Sequence, residues 1–350
     1  MKKALKYFLL SLLILVVTFL IYFFAIKRLD AKVLEERDFT SLPKVNKPFL
    51  VPSAFVNNGS FYIKLALKSG DTILAFGDSG GGLCMMPEPS IEQLHLQSKV
   101  HTGLVKGVMP MSYILFSDLV GDDNFPQPNP LRSFVIRNPF IRVSAPYFII
   151  PPMNDEVKLI RKIMPEMSVF LGQGFFMNKA WTIDYPQQKI WVNTPLQDGK
   201  INNPEVQKIG LKKNANGETI FGHASIKIEI DEEVIDVLFD TGASIILSDE
   251  GRKELHTQAK LIAGSFIAAS VFNKWRIKHP DWRYFPNAEK GADVIEVPII
   301  KIGTQEVGPV LFAKRRDEMW SVDMIGTMDK VVKGAIGGSA LKYLCVTIDY

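Results

Sequence analysis

Among the 350 residues only two are cysteines, Cys84 and Cys345, and only five are histidines. Two cysteines cannot build a disulfide framework or a four-cysteine zinc site, and each is expected to be a buried free thiol. His95, His101, His223, His256 and His279 form no HExxH or His-x-His cluster, so no metal site is expected. No GxGxxG or P-loop occurs either, which removes the usual phosphate cradles and leaves no cofactor to expect. The formal charge of +4 gives no footprint for a nucleic acid. Six basic residues and one acidic residue lie in the first 32 positions, leaving 35 basic against 36 acidic side chains in the rest.

What the chain does have is one long apolar run near its start. Tyr7 to Ile26 holds twenty residues without a charge, glycine or proline. At 1.5 Å per residue such a helix matches a hydrocarbon core of about 30 Å. The run is longer than the apolar stretch of a signal peptide, and Lys27-Arg28-Leu29-Asp30 follows it with no small-residue cleavage pattern. A retained single-pass anchor at 1–32 is expected, with residues 7–26 in the lipid bilayer. Lys2, Lys3, Lys6 and the amino terminus outweigh Lys27 and Arg28, which favours an extracytoplasmic location for the bulk of the protein. Residues 33–59, with Pro43, Pro48 and Pro52, read as a juxtamembrane tether.

The remainder is organised by an internal repeat. YIKLALKSGDTILAFGDSG at 62–80 and SIKIEIDEEVIDVLFDTG at 225–242 both open with period-2 alternation, turn, run through a second apolar strand and end in Asp-(Ser/Thr)-Gly. Ser90 to Gln93, in the polar segment after the first copy, has the spacing of a helix capping box. A second matched pair, LGQGFFMNKAWTIDY at 171–185 and IGGSALKYLCVTIDY at 336–350, aligns without a gap at five identical positions of fifteen. Asp78 precedes Gly172 by 94 residues and Asp240 precedes Gly337 by 97. Two pairs in one order at one spacing define a lobe at 60–195, a polar connector at 196–218 and a second lobe at 219–350. Both lobes are rich in β-branched and aromatic residues with frequent turn signals, so a mainly β fold is expected.

A pseudo-twofold repeat can bring one aspartate from each half onto its axis. Two adjacent carboxyls cannot both ionise easily and share a proton. The ionised one can then deprotonate a water while its protonated partner polarises a carbonyl, which is amide hydrolysis without metal or covalent intermediate. Ser79 and Thr241 can hydrogen-bond across the axis, and Gly80 and Gly242 allow a sharp turn and a close approach. No hydroxyl stands three residues after either aspartate, where Gly81 and Ala243 occur. A carboxylate without that donor is harder to ionise, so an optimum of roughly pH 5–7 is expected.

These motifs resemble those of the aspartic peptidases, the pepsin-like two-lobed enzymes and the related retropepsins. The resemblance rests on Val237-Leu238-Phe239-Asp240-Thr241-Gly242-Ala243-Ser244, on Asp78-Ser79-Gly80, and on Phe170-Leu171-Gly172 with its weaker copy Ala335-Ile336-Gly337. It implies a mainly β, two-lobed pepsin-like fold with a pseudo-twofold repeat behind an N-terminal transmembrane helix. It also implies a catalytic dyad of Asp78 and Asp240, and a cleft that binds a peptide or protein substrate in extended form beside Ser79, Gly80, Thr241 and Gly242. Such enzymes cover the cleft with a flap that often bears a tyrosine. Tyr113, 35 residues after Asp78, is the candidate by spacing. Gly80-Gly81-Gly82 suggests an unusually flexible first loop and motivates the alternative, a membrane-tethered peptide-binding protein that keeps the fold without catalysis. A serine triad built on Gly77-Asp78-Ser79-Gly80-Gly81 fails on order, because no histidine precedes His95.

Overall fold

The computed structural model describes residues 2–35, 47–122, 124–131, 134–138, 140–193 and 205–350. The connector residues 196–204, the tether residues 36–46 and Asp123 lie outside these. Helix α1 runs from Lys2 to Glu35, and within it Leu5–Asp30 is long and apolar enough to cross a membrane. Everything after it is mainly β, in two lobes.

Strand formation starts earlier than expected. Phe49–Val51 (β1) and Ser53–Val56 (β2) lie in the stretch read as tether, yet both pair with strands of the body. Their three- and four-residue lengths are too short to show a period in the sequence. Ser60–Ala66 (β3) and Thr72–Gly77 (β4) form the first alternating hairpin, with Ile63 and Leu65 buried and Lys64 exposed between them. His101–Val105 (β5), Met109–Leu115 (β6), Ile136–Asn138 (β7), Ile141–Arg142 (β8) and Tyr147–Ile150 (β9) make a separate sheet in the order β8-β7-β5-β6-β9. Met167–Leu171 (β10) returns parallel to β4, so the inner sheet of the first lobe reads β10-β4-β3-β2.

The second lobe repeats the plan. Ser225–Ile230 (β13) and Glu233–Phe239 (β14) are the matching hairpin, and Gly334–Ile336 lies parallel to β14 as β10 does to β4. They belong to a nine-stranded sheet. In each lobe an antiparallel and a parallel neighbour therefore flank the strand that leads to Asp-(Ser/Thr)-Gly, fixing where its aspartate emerges.

A four-stranded sheet joins the lobes. Ala180–Asp184 (β11) and Lys189–Asn193 (β12) lie beside β1 on one side and beside Cys345–Asp349 on the other. β11 pairs antiparallel with its own repeat copy, and Thr182 faces Thr347 with their hydroxyls 2.8 Å apart. These are equivalent residues of the two TIDY blocks, so the pseudo-twofold axis passes between them. Trp181 is fully buried there against Phe175 and Phe176, with centroids 5.1 and 5.3 Å away, and its indole N–H donates to the Phe176 carbonyl.

Two local expectations are corrected. The helix after the first aspartate spans Glu88–Gln93 and is entered through Pro87, so Ser90 lies inside it instead of capping it. Buried there, Ser90 accepts a hydrogen bond from the Arg161 guanidinium at 2.9 Å. Pro89 in the first turn supplies the helical φ and carries no N–H for a cap to accept from, and so overrides the box spacing. Cys84 is buried as expected, but Cys345 is exposed.

Candidate active site

Asp78 and Asp240 follow directly on β4 and β14. The Asp78 N–H donates to Leu171 O at 3.0 Å, and the Asp240 N–H donates to Ile336 O at 2.9 Å. Each acceptor precedes Gly172 or Gly337, so the apolar-apolar-Gly element of each lobe clamps the backbone of its own aspartate.

The residues after the aspartates lock the lobes together. The Ser79 N–H donates to Thr241 Oγ1 and the Thr241 N–H donates to Ser79 Oγ, both at 3.0 Å. The Thr241 hydroxyl donates to Gly77 O, and the Ser79 hydroxyl donates to Phe239 O, again at 3.0 Å each. Four bonds thus obey the pseudo-twofold axis, and both side chains are fully buried. The expectation that Ser79 and Thr241 bond across the axis matches this geometry.

The glycines bring the aspartates close. A Cβ on Gly80 would lie 2.4 Å from Asp240 Cγ, and one on Gly242 would lie 2.1 Å from Asp78 Cγ. Each aspartate therefore packs on the glycine of the opposite lobe, and any side chain there would wedge the carboxyls apart. Gly242→Ala is expected to destabilise the fold by about 1–3 kcal/mol through overpacking and to abolish function at the site. Gly82→Ala is the control. A Cβ there meets nothing within 4 Å, so its stability should stay within about 0.5 kcal/mol of the parent in denaturant unfolding.

The glycine-rich loop is packed at Gly80 and Gly81 and open only at Gly82. A Cβ on Gly77 would lie 2.2 Å from the Phe61 ring, and one on Gly81 would lie 2.6 Å from the Phe170 ring. Gly81 O accepts from the Gln173 N–H at 3.0 Å and lies 3.2 Å from His223 Nε2. The Nδ1 of His223 is 2.8 Å from Thr327 Oγ1, and the Gln173 side chain accepts from the Gly222 N–H at 2.7 Å. His223 and Gln173 are thus supports for the Asp78 loop that sequence reasoning missed. His223 stands alone in sequence, and only its position beside Gly81 in the fold reveals the connection.

Electrostatically the two carboxyls behave as one unit. Burial and the facing Asp240 charge hold Asp78 well above the usual carboxylate range. Burial raises Asp240 as well, but a hydrogen bond from Asp78 and the N–H groups of Gly242, Ala243 and Gly80 oppose that. The two carboxyls therefore titrate as one pair that retains a shared proton above the usual carboxylate range, with ionisation opposed more strongly at Asp78 than at Asp240. Oδ1 of Asp78 is buried with no hydrogen-bond partner among the described residues. Nearby, burial and the Asp240 charge push the Tyr185 phenol up, and burial with both aspartates does the same for Tyr350. These two tyrosines end the TIDY blocks and form part of the dyad's surroundings, which the repeat alone did not reveal.

Tyr113 does not sit at the tip of a flap-like hairpin. It lies on the β5–β6 hairpin, but at the root, paired with His101 and packed 5.7 Å from the Tyr147 ring. The hairpin tip instead carries Lys106, Gly107 and Val108. Among the described residues no group of three or more metal-ligating side chains occurs.

No protein-family model matches the chain, and no curated protein does. Among solved structures the chain is similar to basic 7S globulin from soybean, at 10% identity and a TM-score of 0.42, over 88% of this chain and 94% of that one. So loose an overlap transfers nothing about function, which has to be argued from the site itself.

Proposed function

We propose that the protein is a membrane-anchored aspartic endopeptidase, with Asp78 and Asp240 as its catalytic dyad. The observation that carries this reading is the convergence of the two carboxyls across the pseudo-twofold axis, held by the reciprocal bonds of Ser79 and Thr241. Asp240 takes a proton from a water placed between the carboxyls while that water attacks the scissile carbonyl carbon. Asp78 gives its proton to the carbonyl oxygen, leaving a neutral tetrahedral diol. Proton transfer to the amide nitrogen then lets the C–N bond break, and the dyad recovers its single proton. The substrate is a peptide or protein segment in extended form, contacted beside Gly80 and Gly242. With α1 as a single-pass anchor, the lobes stand outside the cytoplasm.

The test is cleavage of an unbiased peptide library by the full-length chain in detergent micelles, from acid to mildly alkaline pH, with and without a statine-type transition-state inhibitor. Cleavage blocked by the inhibitor is expected. Because Asp78 holds its proton to higher pH than an ordinary carboxyl, the alkaline limb of the rate profile should lie above the usual carboxylate range. Activity confined to strongly acid pH would contradict that proton assignment. Inhibitor binding by a folded protein that cleaves nothing at any pH would favour the non-catalytic peptide-binding alternative.

A further inference from the structure

We infer that the tips of the β5–β6 and β7–β8 hairpins sit in the membrane interface beside the anchor, so that the first lobe lies on the bilayer instead of hanging from a tether. The inference rests on reading α1 as a membrane anchor. One face of its last turns, at i, i+4 and i+8 spacing, meets these hairpins. The Tyr22 ring lies 5.7 Å from the Phe140 ring. Ile26 is 1% exposed and fills the space above Gly107, where a Cβ would come within 2.5 Å of it. Asp30 pairs with the buried Arg137 guanidinium at 2.9 Å.

These contacts set a depth. The apolar run of α1 ends at Ile26, and Lys27 and Arg28 follow it. Tyr22 lies four residues, about 6 Å, further into the membrane than Ile26. A side chain that packs on Tyr22 therefore lies below the polar boundary. Phe140 does so, and it is one of four large apolar side chains that the hairpins leave exposed. Val108 is 40%, Met109 47%, Phe140 53% and Ile141 77% exposed. The two tips lie at opposite ends of the antiparallel β5–β7 pair, each touching α1, and each presents apolar side chains that water solvates poorly. Lys106 is exposed at the β5–β6 tip and Lys27 and Arg28 are exposed just after the apolar run of α1, at the height of lipid phosphates. Aromatic and aliphatic tips accompanied by basic residues, continuous with a membrane-spanning helix, fit a phospholipid surface as their occupant.

The test uses environment-sensitive dyes on single cysteines in the full-length chain, with Cys345→Ser removing the exposed thiol and Cys84 left buried. The protein is placed in vesicles of phosphatidylcholine with a minor fraction of phosphatidylglycerol, some carrying a spin label near the headgroup. Dye at Ile141→Cys and at Met109→Cys should emit at shorter wavelength and lose most of its intensity to the lipid-borne quencher. Dye at Ile277→Cys, 84% exposed in the second lobe, should do neither. A further label at Ser11→Cys reports the anchor. If Ser11 is shielded while both tip labels stay water-like, the tips do not dock and the anchor reading stands. If all labels stay water-like, the anchor reading itself fails and takes the inference with it. A tip signal that ignores the lipid quencher and grows with protein density would mean contact between copies of the chain, and would overturn docking on lipid.

Discussion

Asp240→Asn is expected to lower peptide cleavage by about a thousandfold or more, the scale of losing a positioned general base. Asp78→Asn should do the same from the other side, because it removes the proton that the carbonyl oxygen receives. Neither change alters side-chain size, so both variants should fold. Their stability gives an independent reading of the dyad. The Asp78 carboxyl binds its proton more tightly in the folded chain than at its ordinary value of 3.8. Between those two values the folded state holds more protons than the unfolded one, so this group costs stability as pH rises through that window. Asp78→Asn removes the cost. Its thermal midpoint should therefore match the parent well below pH 3.8, where the carboxyl is protonated in both states, and exceed it increasingly toward neutral pH. Loss of cleavage in both variants, with that stability gain in Asp78→Asn, would place the chemistry at the dyad and show that the fold holds the Asp78 carboxyl protonated. Cleavage that survived both substitutions would mean that the site lies elsewhere, and a stability difference flat across pH would mean that the fold does not raise the Asp78 carboxyl.

What was legible in the sequence was whatever symmetry had written twice. The paired strands, the Asp-(Ser/Thr)-Gly turns and the TIDY blocks each occur in two copies, and each copy occupies the equivalent place about the axis between Thr182 and Thr347. Ser79 and Thr241 could be assigned a cross-axis bond because a small hydroxyl recurs at one position. Features present once were harder to read. Gly80-Gly81-Gly82 reads as a source of flexibility, whereas Gly80 and Gly81 stand where the Asp240 carboxyl and the Phe170 ring leave no room for a Cβ. His223 and Gln173 support Gly81 across 142 and 92 residues of chain, a relation with no local signature. Tyr113 was chosen on spacing alone, and strand pairing put it at the root of its hairpin, where register against His101 decides its place. The strands at 49–56 were hidden because a three- or four-residue strand gains its stability from neighbours distant in sequence, not from its own period.

Thr241→Val should be among the most damaging changes of equal size anywhere in the body. The threonine hydroxyl accepts from the Ser79 N–H and donates to the Gly77 carbonyl, both at 3.0 Å and both fully buried. Valine keeps the shape and strands both backbone groups, at a cost of about 1–3 kcal/mol each and so about 2–6 kcal/mol together. Ser79→Ala strands the Thr241 N–H and the Phe239 carbonyl in the same way. Because the four bonds form one unit, the double variant should lose less than the sum of the two single losses. Thr347→Val tests whether the burial matters. Its hydroxyl meets Thr182 on the same axis, but at an exposed face of the interlobe sheet, so its loss should stay below about 1 kcal/mol. Denaturant unfolding of these variants decides the point. A Thr241→Val loss no larger than that of Thr347→Val would show that the buried hydroxyls do not hold the lobes together. The larger loss, accompanied by reduced cleavage, would show that the bonds which join the lobes also keep Asp78 and Asp240 within reach of one proton.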